Sequence, residues 1–248
     1  MRWLHEVVEA DVLERAFVLH RGQREVPGLL WSPVGQLASP PLVLICHGAS
    51  GSKREAYVVS LAHRLARHGI TAVAIDGPVH GARRPDPGHD RVLALLQFSQ
   101  AWSSDASMTD EMVADWRQTL DELQALDEIG RGPVGWWGLS MGTIIGLPVV
   151  AADPRISVAV LGLAGLTGPT RQRLVSDAPR VGCPVLFIVQ WHDELFDRAT
   201  ALELFDALGT DDKRLHAFPG RHADVSAEAF ADTASFLEAR LGAARPDG

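Results

Sequence analysis

The sequence predicts one α/β domain with a mostly parallel central sheet of about eight strands, covered by helices on both faces. Two observations lead to this fold class. From residue 42 onwards, continuous apolar runs such as LVLIC and PVLFIVQ alternate with stretches of helical spacing. Such runs are typical of strands that are buried on both faces, as in parallel sheets. Repeated strand-then-helix units of this size also imply right-handed crossovers, which place helices over the sheet.

The composition fits a single domain over residues 1–248. Hydrophobic residues make up 46% and charged residues 22%, which is ordinary for a globular protein. The net charge of −8 argues against a nucleic-acid surface, because phosphate binding needs clustered Lys and Arg. We find neither the apolar span of ~20 residues that crosses a bilayer nor the apolar core of a signal peptide. We therefore expect a cytoplasmic protein with no nucleic-acid or membrane partner.

The two cysteines, Cys46 and Cys183, each lie beside an apolar run. Two thiols do not make a disulfide framework in a chain of this length, so we expect buried, reduced thiols. The composition leaves the oligomeric state open, and a homo-oligomer is one of the options.

The N-terminal part of the chain predicts an antiparallel edge followed by the first parallel strands. Residues 1–40 contain two strand patterns, AFVLH and VPGLLWSP, separated by a turn. The run LVLIC predicts the first buried strand. A helical stretch over residues 55–69 ends at Gly69, a typical helix stop, and Lys53 and Arg54 are interpreted as its solvated start. TAVAID predicts the next strand.

A long insert over residues 77–110, rich in Pro, Gly and Ser, interrupts this alternation and is predicted to be a lid-like segment. Helical spacing returns over residues 111–130, and VGWWGL predicts a strand. The stretch GTIIGLPVVAAD predicts a helix that is interrupted or bent at Pro148. Three further strands (SVAVLGL, PVLFIVQ and RLHAF) and two helices, over residues 199–209 and 227–242, complete the pattern.

The strongest chemical signal is GLSMG at residues 138–142, which fits G-x-S-x-G between a strand and a helix. A serine on such a tight turn has a strained backbone, and neighbouring glycines remove side chains that would clash. The first amides of the following helix point to where negative charge develops in acyl transfer. Ser140 is therefore the candidate nucleophile. The structural alternative is a small-residue turn that packs a helix on a strand.

Other polar residues follow the predicted strands. His47 follows LVLIC, Asp193 follows PVLFIVQ, and His222 follows RLHAF. Because ligands bind outside the carboxyl ends of the strands in α/β sheets, we expect these side chains to lie near Ser140. A nucleophile, an acid and a base thus occur in the order Ser, Asp, His that accompanies this kind of serine turn.

With these motifs the chain resembles the α/β-hydrolase superfamily, and within it the dienelactone-hydrolase-like and related serine esterase groups. The resemblance extends over residues 42–241 and is carried by HGASGSK, DGPVHGARR, GLSMG, QWHDELF and PGRHAD. It implies the α/β-hydrolase fold with a short insert near the active site. It also implies a catalytic triad of Ser140, Asp193 and His222, with an oxyanion hole from the backbone N–H groups of Ala49 and Met141.

Two positions depart from the pattern of such enzymes. Gln190 stands where the acid loop often carries a glycine, and Thr143 stands where a second glycine often follows the serine turn. In addition, Glu194 directly follows Asp193 and is an alternative triad acid.

Four histidines (His47, His80, His192 and His222) could converge at the strand ends and bind a metal. No H-E-x-x-H or C-x-x-C spacing is present, so we expect neither a metal nor a cofactor. We expect His47 instead to shape its turn so that the Ala49 amide points into the site.

Aromatic residues in the insert predict part of a substrate pocket. We expect Phe98 and Trp102 to form a wall or a partial lid, with Leu93, Leu95 and Leu96 beside them. Packing of a small separate apolar cluster is the alternative.

The sequence thus predicts a serine hydrolase that cleaves a carboxylic ester, or a related small acyl substrate, through an acyl-enzyme intermediate. In this scheme His222 takes the proton of Ser140, and Asp193 fixes the imidazole tautomer. A non-catalytic ligand-binding protein on the same fold is the alternative from another class, although a binder needs neither nucleophile nor base. Thioesterase, acyltransferase and peptidase activities stay open, since the fold alone does not fix the substrate.

Overall fold

One β-sheet runs through the centre of the computed structural model, which describes residues 1–35, 39–84, 90–105 and 107–242. Within these residues the sheet has nine strands: β1 (Arg2–Glu9), β2 (Val12–Arg21), β3 (Arg24–Pro33), β4 (Leu42–Cys46), β5 (Thr71–Ile75), β6 (Val134–Gly138), β7 (Ile156–Gly162), β8 (Val185–Gln190) and β9 (Lys213–Phe218). Their order across the sheet is β1-β2-β3-β5-β4-β6-β7-β8-β9.

The sheet is antiparallel at its N-terminal edge and parallel elsewhere. β1, β2 and β3 pair antiparallel in sequence, and β3 also pairs antiparallel with β5. From β5 through β4 and β6 to β9, the pairings are parallel. β4, β5 and β6 are buried along their whole length, as expected for strands covered on both faces.

Helices cover both faces of the sheet. They are α1 (Ala56–Arg67), α2 (Arg91–Ser104), α3 (Met108–Gln124), α4 (Met141–Ile144), α5 (Gly146–Ala152), α6 (Arg171–Asp177), α7 (Arg198–Ala207) and α8 (Ala227–Leu241). α1 and α8 pack on one face, around Trp31 and Trp137. The others contribute to the core on the opposite face, around Trp116 and Trp136. The predicted fold class is confirmed. None of the described helices is both long and apolar enough to cross a membrane.

The N-terminal edge has three strands rather than the predicted two, because β1 precedes them. All eight residues of β1 are exposed, and charged and apolar side chains are mixed along it. No buried face therefore imposes the period-two pattern by which strands are recognised. Backbone pairing with β2 holds β1 in place, with an irregularity between Trp3 and His5.

The insert over residues 77–110 is more helical than its Pro, Gly and Ser content suggests. It contains a 3₁₀ turn at Gly81–Arg83, all of α2 and the start of α3. α2 begins after Asp90, whose side chain accepts hydrogen bonds from the amides of Val92 and Leu93. Residues 85–89 and 106 of the insert lie outside the described residues.

The helix after Ser140 is interrupted on the N-terminal side of Pro148. α4 ends at Ile144 and α5 begins at Gly146. Proline has no N–H, and its ring crowds the carbonyl four residues earlier, which here belongs to Ile144. The interruption makes α4 a single turn directly behind Ser140.

A glycine in β3 makes room for an aromatic ring in the core. Gly28 is paired with Phe17 of β2, and Phe17 is fully buried. A Cβ atom on Gly28 would lie 2.0 Å from the Phe17 ring. The two strands therefore fit together only because this side chain is missing.

We expect Gly28→Ala to lower the free energy of unfolding by about 1–3 kcal/mol, because the buried ring must shift to admit a methyl group. Urea denaturation followed by tryptophan fluorescence measures the change. Gly182→Ala is the matched control, because a Cβ atom there meets no atom within 4 Å. We expect the control to stay within about 0.5 kcal/mol of wild type. Equal stability of the two variants would contradict the packing role of Gly28.

Candidate active site

Ser140 lies on a strained turn between β6 and α4. Its backbone dihedral angles are φ 59° and ψ −118°. Residues other than glycine rarely adopt this region of backbone conformation. A Cβ atom on Gly138 would lie 2.5 Å from the Gly142 carbonyl oxygen, and one on Gly142 would lie 2.8 Å from that of Cys46. The two glycines therefore permit the close backbone contacts that lift Ser140 out of the sheet.

Thr143 joins the ends of β6 and β7 beneath this turn. Its hydroxyl oxygen accepts a hydrogen bond from the Gly162 amide at 2.7 Å. The same oxygen lies 2.8 Å from the Gly138 carbonyl oxygen and 2.7 Å from that of Gly162, either of which can accept its proton. Thr143, which stands where a second glycine often follows the serine turn, therefore supplies a buried hydrogen-bonding side chain.

The structure brings Ser140, His222 and Asp193 together in one hydrogen-bonded line. Nε2 of His222 lies 2.9 Å from Oγ of Ser140, and Nδ1 lies 2.8 Å from Oδ2 of Asp193. Oδ1 of Asp193 accepts hydrogen bonds from the amides of Leu195 and Phe196, at 2.8 and 3.0 Å. The three residues lie in loops that follow β6, β8 and β9, at the carboxyl edge of the sheet.

Glu194, the alternative acid, does not contact the imidazole ring through a hydrogen bond. Its Oε2 accepts a hydrogen bond from the backbone N–H of His222 at 2.9 Å, and its Oε1 lies 3.4 Å from the Arg221 guanidinium. Glu194 therefore anchors the loop that carries His222, while Asp193 meets the ring.

Both carboxylates are held in the charged form. Burial raises the pKa of Asp193, but hydrogen bonds from His222, Phe196 and Leu195 outweigh it, so the pKa lies below its ordinary value. The pKa of Glu194 also lies below its ordinary value, mainly because its carboxylate accepts the hydrogen bond from the His222 backbone. A charged Asp193 favours a proton on Nδ1 of His222, which leaves Nε2 free to accept the Ser140 proton.

The backbone N–H groups of Ala49 and Met141 have no acceptor among the described residues. Met141 is the first residue of α4, and amides in the first turn of a helix have no partner within it. Ala49 lies in the loop after β4. Parallel pairing of Cys46 with Gly138 places the ends of β4 and β6 side by side, so the two loops lie at the same edge.

The sequence profile of the alpha/beta hydrolase family matches residues 42–247. The chain belongs to the alpha/beta hydrolase family. No curated protein matches it at a significant level. The family resemblance inferred from the motifs is thereby confirmed.

Solved structures that resemble this hydrolase include named esterases. A cold-adapted esterase from an Arctic intertidal metagenomic library is 43% identical, over 97% of this chain and 100% of that one, with a TM-score of 0.87. Two others share the fold. Acetyl xylan esterase from Paenibacillus sp. R4 is 17% identical (97% and 88% covered, TM-score 0.77). Dienelactone hydrolase from Anabaena variabilis ATCC 29413 is 20% identical (95% and 100% covered, TM-score 0.67).

His47 and His80 are buried beside the Ala49 loop of the hydrolase. Nε2 of His47 accepts a hydrogen bond from the Gly77 amide at 3.1 Å, so its proton lies on Nδ1, which donates to the Gly48 carbonyl at 2.8 Å. Burial and the neighbouring His80 lower the pKa of His47 to about 3, so the ring is neutral. Burial also lowers the pKa of His80, against the effect of its carbonyl contacts.

Among the described residues, no group of three or more His, Cys, Asp or Glu side chains is placed to hold a metal ion. The rings of His47 and His80 lie 4.9 Å apart. His192 is exposed, and His222 contacts Ser140 and Asp193.

Two of the predicted pocket residues pack inward from α2. Phe98 is buried, with its ring 5.3 Å from that of His80 and 5.8 Å from that of Trp102. The indole N–H of Trp102 is buried and has no hydrogen-bond partner among the described residues. The leucines of the insert are more exposed than Phe98, and their place in a pocket wall stays a prediction; Leu93, Leu95 and Leu96 have 38%, 41% and 61% exposure.

Sequence reasoning missed a buried ion pair behind the Ala49 loop. Nζ of Lys53 lies 2.5 Å from Oδ2 of Asp76, which is fully buried. Asp76 also accepts hydrogen bonds from the amides of Lys53 and Ala82. The interpretation of Lys53 as solvated was therefore wrong, whereas Arg54 is half exposed. The position of Asp76, directly after the apolar strand TAVAI, was the signal available in the sequence.

We expect Thr143→Val to lower the free energy of unfolding by about 1–3 kcal/mol, because the buried Gly162 amide loses its acceptor. Thr71→Val is the matched control, since the buried Thr71 hydroxyl has no hydrogen-bond partner among the described residues. The control is expected to be as stable as wild type or more stable. Urea denaturation of both variants measures the free energy of unfolding. A loss of stability confined to Thr71→Val would contradict the role of the Thr143 hydroxyl as acceptor.

Proposed function

We propose that Ser140, His222 and Asp193 hydrolyse carboxylic esters of small acyl compounds through an acyl-enzyme intermediate. The protein is a serine ester hydrolase of the alpha/beta hydrolase family. The observation that carries the proposal is the continuous line from Ser140 Oγ through His222 to Asp193, at 2.9 and 2.8 Å. The relative at 43% identity is an esterase. A protein that only binds ligands would need neither the strained serine nor a base in contact with it.

Each proton of the reaction has a place in this geometry. Ser140 Oγ attacks the ester carbonyl carbon while His222 Nε2 takes the hydroxyl proton. The carbonyl oxygen becomes an oxyanion that the N–H groups of Ala49 and Met141 bind. When the intermediate collapses, the C–O bond to the leaving group breaks, and His222 returns the proton to the departing alkoxide. Water then repeats the sequence on the acyl-enzyme, releasing the acid and restoring Ser140.

Asp193 acts on the ring and not on the substrate. Its charge stabilises the imidazolium that forms when His222 takes the Ser140 proton, and its hydrogen bond fixes the Nδ1–H tautomer. The amides of Leu195 and Phe196 hold the carboxylate in position. Asp193 therefore stays ionised throughout the catalytic cycle.

The proposed partner is a small acyl substrate. Phe98 and Trp102 supply an apolar wall next to His80, which in turn lies against the Ala49 loop. Leu93, Leu95 and Leu96 leave the outer side of α2 open. Two aromatic side chains without a broad apolar lid over them favour a compact acyl group over a long chain. A homo-oligomer also stays a prediction, which light scattering after size-exclusion chromatography measures.

A cytoplasmic location stays part of the proposal. Cys46 and Cys183 are free thiols, and burial raises the pKa of Cys46 to about 12 and that of Cys183 to about 11. Such protonated thiols are compatible with a reducing compartment. Fractionation of the native host cells checks the location.

We expect a fluorophosphonate probe to label wild type on Ser140, because the activated hydroxyl attacks phosphorus as it attacks an ester carbonyl. Ser140→Ala should abolish the labelling and the hydrolysis of p-nitrophenyl acetate. Ser157→Ala is the control, since Ser157 donates to the Val134 carbonyl at the far end of β7, and it should be labelled like wild type. An adduct that mass spectrometry locates on another serine would refute the assignment of the nucleophile.

Two neighbouring substitutions separate the roles of the carboxylates. We expect Asp193→Asn to lower kcat by about 10³–10⁴-fold, because the ring loses its charged partner and the correct tautomer. Glu194→Gln keeps an oxygen for the His222 backbone N–H and should stay within about tenfold of wild type. Steady-state kinetics on p-nitrophenyl acetate measure both. The reverse ranking would make Glu194 the acid.

A further inference from the structure

Three consecutive peptide groups around Ala49 are each held by a hydrogen bond to a different side chain. The Gly48 N–H donates to Oη of Tyr57 at 2.8 Å. The Gly48 carbonyl accepts a hydrogen bond from Nδ1 of His47 at 2.8 Å. Nε2 of His80 lies 2.7 Å from the Ala49 carbonyl oxygen and Nδ1 lies 2.7 Å from that of Pro78, so the Nε2–H tautomer of His80 donates to Ala49. Because each peptide group is planar, these contacts fix the planes before, at and after the Gly48–Ala49 bond.

The Ala49 N–H is the polar backbone group of this two-residue segment that has no acceptor among the described residues. Ala49 is partly buried, and an N–H left unpaired between three paired groups is a donor that a ligand can use. Gly48 has no side chain and Ala49 has only a methyl group. The Ala49 methyl packs against the core, and the Gly51 N–H donates to the Gly48 carbonyl at 3.0 Å. The other contacts that order the segment come from the side chains around it.

The two outer side chains are themselves held rigidly. Tyr57, in the first turn of α1, packs against the rings of Trp137 and Phe230, with centroids 5.9 and 5.8 Å away. Burial raises the pKa of Tyr57, so the neutral phenol can accept the Gly48 N–H. His80 follows β5 and lies against the rings of His47 and Phe98. Tyr57 reaches the loop from nine residues away and His80 from 31 residues away, each from a different element.

We propose that Tyr57 and His80 are positioning residues that aim the Ala49 N–H at the oxyanion. This inference rests on the proposed function. Neither side chain touches the reacting atoms; each acts through the backbone of Gly48 or Ala49. Since the oxyanion exists only in the transition state and the tetrahedral intermediate, a misdirected donor lowers kcat and leaves KM nearly unchanged.

Three substitutions test the two side chains. Tyr57→Phe removes one oxygen atom and keeps the stacked ring. His80→Met removes the donor to the Ala49 carbonyl, while His80→Gln places an amide N–H close to the position of Nε2. Complete loss of an oxyanion donor costs ~10²–10³ in rate, and we expect about tenfold for a donor that is kept but loosened. Tyr57→Phe and His80→Met should therefore lower kcat about tenfold with KM within about twofold, and His80→Gln should recover most of kcat.

Thr119→Val is the control for a lost buried hydroxyl. Thr119 donates to the Asp115 carbonyl within α3, outside the Ala49 loop. We expect this variant to lose thermal stability without a change in kcat. As a second readout, the Ki of a boronic acid, whose tetrahedral adduct on serine carries an oxyanion, should rise in parallel with the fall in kcat/KM across the series.

The outcomes separate the two proposals. A wild type that neither hydrolyses p-nitrophenyl acetate nor reacts with the fluorophosphonate overturns the proposed function. An active wild type, with Tyr57→Phe at wild-type kcat and only a lower Tm, overturns the positioning role of Tyr57. If His80→Met does not fold, His80→Gln and His80→Asn decide for His80, since an Asn amide reaches the position of Nδ1 rather than that of Nε2. Equal kcat in His80→Gln and His80→Asn overturns the positioning role of His80.

Discussion

The close backbone contact beneath Ser140 constrains the rest of the site. Gly138, Gly142 and Cys46 approach so closely that a Cβ atom on either glycine would lie 2.5 or 2.8 Å from a carbonyl oxygen. This contact joins the end of β6, the start of α4 and the end of β4 in one place. As a consequence, the strained serine, the first amide of α4 and the loop after β4 share the carboxyl edge of the sheet. Thr143 then ties the same point to β7.

The charges at this edge are distributed by hydrogen bonding. Asp193 is held by the imidazole and by two backbone amides, which keep it ionised despite partial burial. Glu194 binds the backbone N–H of His222 instead. One carboxylate thus sets the tautomer of the ring and the other sets the position of its loop. Two adjacent acids therefore perform separate tasks, because their partners differ.

The polar groups buried behind the Ala49 loop serve geometry more than stability. Replacing a buried ion pair such as Lys53–Asp76 by apolar side chains is often neutral or stabilising, because desolvation offsets the attraction. The pair does, however, fix the segment after Ala49 against the end of β5 through the Lys53 amide. Tyr57 and His80 hold the same loop from two other directions. Fully satisfied networks of this kind specify one arrangement of the backbone.

The sequence by itself determined those parts of the protein that depend on local pattern. Continuous apolar runs identify the buried strands, and GLSMG identifies the turn of Ser140, because burial and glycine placement act over a few residues. Its strand-end position also made His222 recognisable. Only the tertiary structure shows that Asp193 contacts the imidazole while Glu194 contacts the backbone N–H, since adjacent carboxylates look alike in the sequence. It also revealed Tyr57 and β1, because a hydrogen bond from a loop N–H to a single side chain and an exposed strand held by backbone pairing leave no periodic signal in the chain.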